Sequence, residues 1–302
     1  MTARRCKGST RTCDARRGIV LKALDDQEEA GMGRLDGKVA IVTGAGREGN
    51  IGLAICEAFL REGASAVIGT DLRTDEADQI RARVEASFGP LRFRLLEQDV
   101  TRQDDWERVI KATVGEFGGL DVLVNNAGIS IHAGIIDTSL EDLRKVMAVN
   151  HDALFLGMKV CAPLLAETVR RFPGGGSIIN NLSMASYMPN ANNIGYHVSK
   201  AAGRMLTLCG AVEFGPMKVR VNSVHPGLTM TPLIRDGLND YVAAGLWETP
   251  EAAEAAIAGM GPLGISSQPE DTAHAFVYLA SEESRFVTGT SIYHDGGIGQ
   301  RY

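Results

Sequence analysis

The chain has 302 residues, 44% of them apolar, and a formal net charge of -6. That size and apolar content suit one large α/β domain with a substantial core, and mild acidity argues against a nucleic-acid partner. No apolar run approaches the roughly 18 to 20 residues of a membrane span, and the start lacks the apolar core of a secretion signal, so the expected setting is the cytoplasm, away from any membrane.

Residues 1–31 open with Arg4, Arg5, Lys7, Arg11, Arg16 and Arg17 and continue with Asp25, Asp26, Glu28 and Glu29. So few large apolar side chains cannot offset the entropy of ordering, which predicts a disordered N-terminal extension. A basic start is a feature of organelle transit peptides, but the acidic second half and the missing amphipathic period argue against one. Met32-Gly33-Arg34-Leu35-Asp36-Gly37-Lys38 reads as the natural start, with the folded domain over 32–302.

From Lys38 onward apolar, β-rich runs alternate with helical stretches. The predicted strands are Val39 to Val42, Ala66 to Gly69, Leu91 to Leu96, Val122 to Val124, Ser177 to Asn180, Val219 to Val224 and Ser291 to Tyr293. Helices are predicted over Ile51 to Leu60, Asp104 to Phe117, Leu140 to Leu165, Tyr196 to Phe214 and Pro269 to Leu279. Continuously apolar strands separated by helices predict a single-domain Rossmann fold, a doubly wound parallel sheet with helices on both faces.

The first strand runs into Thr43-Gly44-Ala45-Gly46-Arg47-Glu48-Gly49-Asn50-Ile51-Gly52 and then a helix. Glycines let the backbone approach a pyrophosphate, whose charge is favoured by the helix's amino-terminal dipole. The second strand ends at Asp71, a carboxylate placed to bond adenosine ribose hydroxyls and repel a 2′-phosphate, which selects NAD over NADP. Arg47 and Arg73 pull the other way, since either reaches toward a phosphate.

Tyr196 and Lys200 stand at i and i+4, on one face of a helix, with Ser183 upstream. A free phenol with pKa near 10 is a poor base, and a nearby ammonium stabilises the phenolate and lowers that value. This pattern describes a nicotinamide-dependent oxidoreductase in which a tyrosine takes the proton of an alcohol while hydride leaves its carbon. The segment 233–262, with Gly237, Gly245, Gly259 and Gly261 around Ala/Glu stretches, reads as a substrate lid. Cys6, Cys13, Cys56, Cys161 and Cys209 form no C-x-x-C pair and read as free thiols, the last three as small buried groups on helix faces. The six histidines show no ligand spacing, so no metal is expected, and His132 is a candidate for the substrate pocket wall.

These residues resemble the short-chain dehydrogenase/reductase family over nearly everything from Leu35 to Gly297. The matching pieces are the turn at Thr43 to Gly52, Asp99-Val100, Asn125-Asn126-Ala127-Gly128, Asn150, Ser183, Tyr196-x-x-x-Lys200, Asn222-Ser223-Val224-His225-Pro226-Gly227 and Asp295-Gly296-Gly297. Two departures stand out. The glycine turn is two residues longer than usual, with Asn50 at the second glycine's place, and the usual I-S-S reads Asn181-Leu182-Ser183.

The resemblance implies that Ser183 bonds the substrate oxygen, Tyr196 is the acid/base, Lys200 lowers its pKa and binds the nicotinamide ribose, and Asn150 joins a water-linked proton relay ending at Lys200. It implies cofactor contacts from Gly44, Gly46, Gly49, Asn50, Ile51 and Gly52, from Asp71, Asp99 and Val100, and from Asn126, Ala127 and Gly128. Further contacts fall to Tyr196, Lys200, Pro226, Gly227, Thr229 and Thr231. The implied function is NAD-dependent interconversion of a secondary alcohol and a ketone, the tract around His225 resembling members that act on hydroxysteroids and other apolar or cyclic alcohols. Alternatives are an NADP-dependent ketone reductase and a non-catalytic NAD-sensing protein; nucleotide-sugar epimerisation would need a larger C-terminal domain. Apolar residues such as Met205, Leu206, Leu208, Cys209 and Val212 suggest helix pairing between copies, a homo-oligomer of the dimer or tetramer kind, the homotetramer foremost.

Overall fold

The structure, a computed structural model, describes residues 33–301. The expected extension over 1–31, the start at Met32, and Cys6 and Cys13 lie outside the described residues.

Seven strands form one parallel sheet: β1 (Val39–Thr43), β2 (Ala66–Asp71), β3 (Phe93–Glu97), β4 (Val122–Asn125), β5 (Gly176–Asn181), β6 (Val219–Pro226) and β7 (Ser291–His294), in the order β3-β2-β1-β4-β5-β6-β7. The central strands are buried along their whole length, as both faces are covered. β3 begins at Phe93 rather than Leu91, because Leu91 is exposed and the Arg92 guanidinium donates instead to the Leu60 and Ala64 carbonyls.

One face is covered by α1 (Ile51–Arg61) and α9 (Pro269–Ala280), through Leu53, Ile55, Phe59, Phe276 and Val277 packed on Val42, Val67, Val124 and Val224. The other carries α3 (Gln103–Phe117) and α5 (Ala153–Leu165), whose Trp106, Val109, Met158, Cys161 and Leu165 pack on Ile41, Ile68, Leu123, Ile178 and Val221. The long α6 (Ile194–Phe214) lies beside α5 on this face. Cys56 and Cys161 are buried as expected, but Cys209 is exposed, on the side of α6 that carries Met205, Leu208 and Val212.

Three helices were not foreseen. α2 (Ala77–Phe88) is polar and buries only Ile80 and Val84, too thin a stripe to announce itself. α7 (Pro232–Ala243) and α8 (Pro250–Ala258) occupy the expected lid segment; each starts at a threonine N-cap followed by proline. The single helix expected over Leu140 to Leu165 is instead α4 (Leu140–Met147) and α5, joined by a five-residue π-helical turn, Ala148–Asp152. Among the described residues no helix is long and apolar enough to cross a membrane.

The strand order reverses between β1 and β4, and at that switch point the loops leaving their carboxyl ends open a crevice. Two glycines set its floor. Gly44 has φ +71°, and a Cβ there would stand 2.8 Å from Ala127 Cα; one on Gly52 would stand 2.2 Å from the Gly44 carbonyl oxygen. Helix α1 therefore rests directly on the turn that feeds it. Gly52→Ala is expected to cost about 2 kcal/mol through this overpacking. Urea unfolding would show it as a lowered midpoint with an unchanged slope.

Candidate active site

A cleft of about 950 Å³ runs along the carboxyl edge of the sheet. At one end the glycine turn is built around Asn50. Its Oδ1 accepts from the Leu53 N–H at 2.7 Å as the N-cap of α1, and its Nδ2 donates to the Gly44 carbonyl at 3.0 Å. An amide at this position closes the longer turn without a second glycine. Gly44, Asn50 and Ile51 line the cleft; Gly46, Gly49 and Gly52 do not. Gly46 packs against the end of β2, where a Cβ would meet Asp71 Cβ at 2.5 Å, and Gly49, at φ +70° with open space around it, supplies a left-handed turn residue.

Asp71 accepts from the Gly46 N–H at 2.8 Å and, on its other oxygen, from the Arg73 N–H at 3.0 Å. Both arginines that could attract a phosphate are engaged by acids: Arg73 pairs with Asp75 at 2.9 Å, and Arg47 approaches Asp236 at 3.7 Å. Asp99 and Val100 line the same end, Asp99 accepting from the Thr101 N–H and hydroxyl.

In the middle stand the strand ends of β4 and β5. Asn126 donates to the Thr43 and Gly44 carbonyls at 2.8 and 3.0 Å, and its Oδ1 accepts from Asn181 Nδ2 at 2.7 Å. Asn181 in turn offers its main-chain carbonyl to Lys200 Nζ at 2.9 Å. Lys200 is almost fully buried on α6, its ammonium 5.5 Å from the centre of the Tyr196 ring. Tyr196 is half-buried, one helical turn before the lysine on α6. Ser183 sits just past β5 in extended backbone, with its Oγ accepting from the Ala185 N–H at 3.1 Å. Ser183, Tyr196, Lys200, Ala127 and Gly128 share this stretch of cleft wall.

The side chain of Asn150 makes no direct hydrogen bond to Lys200, though Oδ1 and Nζ both lie close to Gly128, where a Cβ would stand 3.3 and 3.5 Å from them. Asn150 is wholly buried in the π-helical turn, accepts from the Ile129 N–H at 2.8 Å, and donates to the Ile129 carbonyl at 2.9 Å and to Ser199 Oγ at 3.1 Å. Its amide thus holds the loop after β4 against the helix that carries the tyrosine and lysine. Pro226, Gly227, Thr229 and Thr231 line the far end, but the Thr229 hydroxyl bonds Ser267 at 2.8 Å and Thr231 caps α7.

Two contributors escaped the sequence reading. Asn181 registered only as a departure from a pattern, yet it links the lysine to Asn126. His225, noted for its motif, lies fully buried beneath Ser183: Nδ1 contacts Ser186 Oγ at 2.6 Å and the Ser183 carbonyl at 3.2 Å, and Nε2 meets Ser223 Oγ at 2.9 Å. A histidine in a strand that is buried along its whole length was the available signal. Among the described residues no group of three His, Cys, Asp or Glu side chains could hold a metal ion.

A family model described as Enoyl-(Acyl carrier protein) reductase matches residues 44–299. The chain is 38% identical over 264 residues to the 2,5-dichloro-2,5-cyclohexadiene-1,4-diol dehydrogenase of Sphingobium indicum, covering 87% of this chain and 97% of that one. It is 35% identical over 265 residues to the 3-alpha-(or 20-beta)-hydroxysteroid dehydrogenase of Mycobacterium tuberculosis (88% and 90% covered), and 33% identical over 266 residues to the cyclopentanol dehydrogenase of Comamonas testosteroni (88% and 98% covered). Among solved structures, a Burkholderia xenovorans protein assigned to the short-chain dehydrogenases/reductases superposes with a TM-score of 0.80 at 34% identity, covering 89% of this chain and 99% of that one. The ligand-free aldohexose dehydrogenase of Thermoplasma acidophilum gives 0.77 at 31% identity, with 90% and 98% covered.

Burial dominates the protonation of this wall. It pushes the Tyr196 phenol above its usual value, with the neighbouring Ser183 hydroxyl opposing. It brings the Lys200 ammonium down to about 8 and His225 down to about 4, leaving that imidazole neutral at physiological pH. Lys200 gives a stability test. Its value falls from 10.5 unfolded to about 8 folded, so below pH 8 the folded state carries a buried ammonium that opposes folding. Between about pH 8 and 10.5 only the unfolded state holds the proton, and stability rises with pH. Lys200→Met is expected to flatten that alkaline rise, while at pH 7 the loss of the buried ammonium is offset by the unpaired Asn181 carbonyl, both read by urea unfolding across pH. A variant that keeps the alkaline rise would contradict it.

Proposed function

The chain belongs to the short-chain dehydrogenase/reductase family, and on that footing we propose an NAD-dependent dehydrogenase that interconverts an alicyclic secondary alcohol and its ketone. The observation that carries the reading is the meeting of Ser183, Tyr196 and Lys200 on one wall of a cleft whose other end presents a capped helix N-terminus and Asp71.

The residues fit a dinucleotide. The N-terminus of α1 and the Gly44 turn suit a pyrophosphate, and the Asp71 carboxylate, with lone pairs left after its two backbone bonds, suits ribose hydroxyls. Lys200 spends one of its three N–H bonds on Asn181 and keeps two for the second ribose. A bound nicotinamide supplies the hydride acceptor for oxidation and the donor for reduction.

The protein's own residues do the rest. Ser183 holds the substrate oxygen where charge builds up. Tyr196 takes the alcohol proton during oxidation and returns it during reduction. A buried phenol kept protonated at neutral pH is suited to giving its proton to a ketone; alcohol oxidation draws on the phenolate, which the nearby ammonium favours.

Met188, Leu233, Tyr241, Trp247 and Met260 make the substrate end largely apolar. Relatives named for cyclohexadiene-diol, hydroxysteroid and cyclopentanol oxidation support a ring-shaped alcohol. Exposed Phe155, Met205 and Val212 on α5 and α6 support association into a homo-oligomer. NADP-dependent ketone reduction is the second reading, favoured by Arg47, which lines the cleft with its Nε buried and unpartnered.

Tyr196→Phe is expected to bind NAD normally by calorimetry while turnover falls by about 10² or more. In the wild type, oxidation should quicken from neutral toward alkaline pH, in the direction set by a raised phenol pKa; substantial turnover in the variant would refute the role. Asp71→Ala should lower the preference for NAD over NADP by about tenfold or more, since a like-charge contact near 4 Å costs roughly 4 kcal/mol at an effective dielectric near 20. Steady-state kinetics with both cofactors would measure it, and an unchanged ratio would move discrimination to Arg47.

A further inference from the structure

Helices α7 and α8 enclose an apolar cluster of their own, with Leu228, Met230, Leu238, Ala253 and Ala258 at its centre, separate from the two clusters that cover the sheet. Leu228 and Met230 tie this pair to the segment after β6, and its hold on the loops across the cleft comes from its edges. On α7 one face turns four successive contacts toward the cofactor loops. Asp236 approaches Arg47 of the glycine turn at 3.7 Å, and Asp240 meets His132 Nδ1, from the loop after β4, at 3.1 Å. Between them Gly237 lies flat against the same imidazole, where a Cβ would stand 2.9 Å from His132 Cε1. Tyr241 completes the seat, its ring edge-on to His132 with centroids 5.3 Å apart. Asp236 and Asp240 are i and i+4, so one face of one helix grips both loops that flank the switch point.

Neither contact is strong by itself, because both aspartates are well exposed and such polar contacts contribute little. The imidazole adds shape. It fills a notch that exists only because position 237 has no side chain, and it lines the cleft. We propose that His132 is a positioning residue that sets the height of α7 over the substrate end, and thereby the fit of the ring-shaped alcohol, without touching the reacting atoms. The proposal rests on the dehydrogenase reading for its substrate but not for its mechanics.

The test pairs His132 with Gly237. In His132→Ala the KM for a cyclic secondary alcohol such as cyclopentanol should rise about tenfold, with kcat within about threefold and NAD affinity by calorimetry within about twofold. Amide hydrogen exchange over 232–243 should quicken while the sheet stays protected. Gly237→Ala should produce the same two effects, because its methyl drives the lid off the imidazole. Added to His132→Ala it should produce no more, as the methyl then fits vacated space. Asp240→Asn, which keeps an acceptor for the imidazole N–H, should stay near wild type where Asp240→Ala does not.

Unchanged KM and unchanged exchange in His132→Ala, or fully additive effects in the double variant, would overturn the proposal. If Gly237→Ala does not fold, His132→Ala, which only removes atoms, still decides it. If the wild type oxidises no secondary alcohol, the dehydrogenase reading fails, while the exchange measurements still judge how the lid is held.

Discussion

The cleft hangs from a chain of hydrogen bonds that runs from a buried amine to the glycine turn. Lys200 donates to the Asn181 carbonyl, the Asn181 side chain donates to Asn126, and Asn126 donates to Thr43 and Gly44, whose carbonyl is shared with Asn50. Each of these partners is fixed by the next, because an orphaned polar group in such surroundings costs about 1 to 3 kcal/mol. The consequence is functional. The amine and the turn, to which the proposed function gives the chemistry and the cofactor, are joined through one hydrogen-bonded chain, so a shift of either strains the other.

The π-helical turn at Ala148–Asp152 follows the same logic. A regular helix from Leu140 to Leu165 would satisfy its own backbone and present Asn150 at another angle. Widening one turn of the helix by a residue places the Asn150 amide where it clasps both polar groups of Ile129 and also reaches Ser199 on α6. Such turns are uncommon and gather at functional sites, where the irregularity is held in place by what it contacts. Here it binds the loop after β4, which carries Ala127, Gly128 and His132, to the helix of Tyr196 and Lys200. Below Ser183, the neutral His225 does similar work from the other side through Ser186, Ser223 and the Ser183 carbonyl.

What was legible in the chain was local. The i, i+4 spacing of Tyr196 and Lys200, the strand-turn-helix around Gly44 to Gly52 and the continuously apolar strands each fit within a short window, and each led to the right element. What escaped depended on partners far away. Asn181 gains its meaning from Asn126, 55 residues earlier, and His225 from Ser183, 42 residues earlier. α2 escaped because a surface helix needs only two buried side chains, and Cys209 was misplaced because the face of α6 that turns outward cannot be told from periodicity when both faces are apolar. The long helix was drawn straight because nothing in its composition marks where a ladder slips by one residue.

The same burial that makes the site exact works against its chemistry. Desolvation raises the phenol of Tyr196 and depresses the ammonium of Lys200, so each resists the ionised form that alcohol oxidation uses. The two penalties have one remedy, since an ammonium beside a phenolate stabilises both charges in a medium where their attraction is strong. The pair is therefore more easily ionised together than singly. The neighbouring Ser183 hydroxyl pulls the phenol in the same direction, against burial. On the proposed reading, that shared ionisation is the reason for the resting protein to keep an unfavourable buried cation beside the tyrosine.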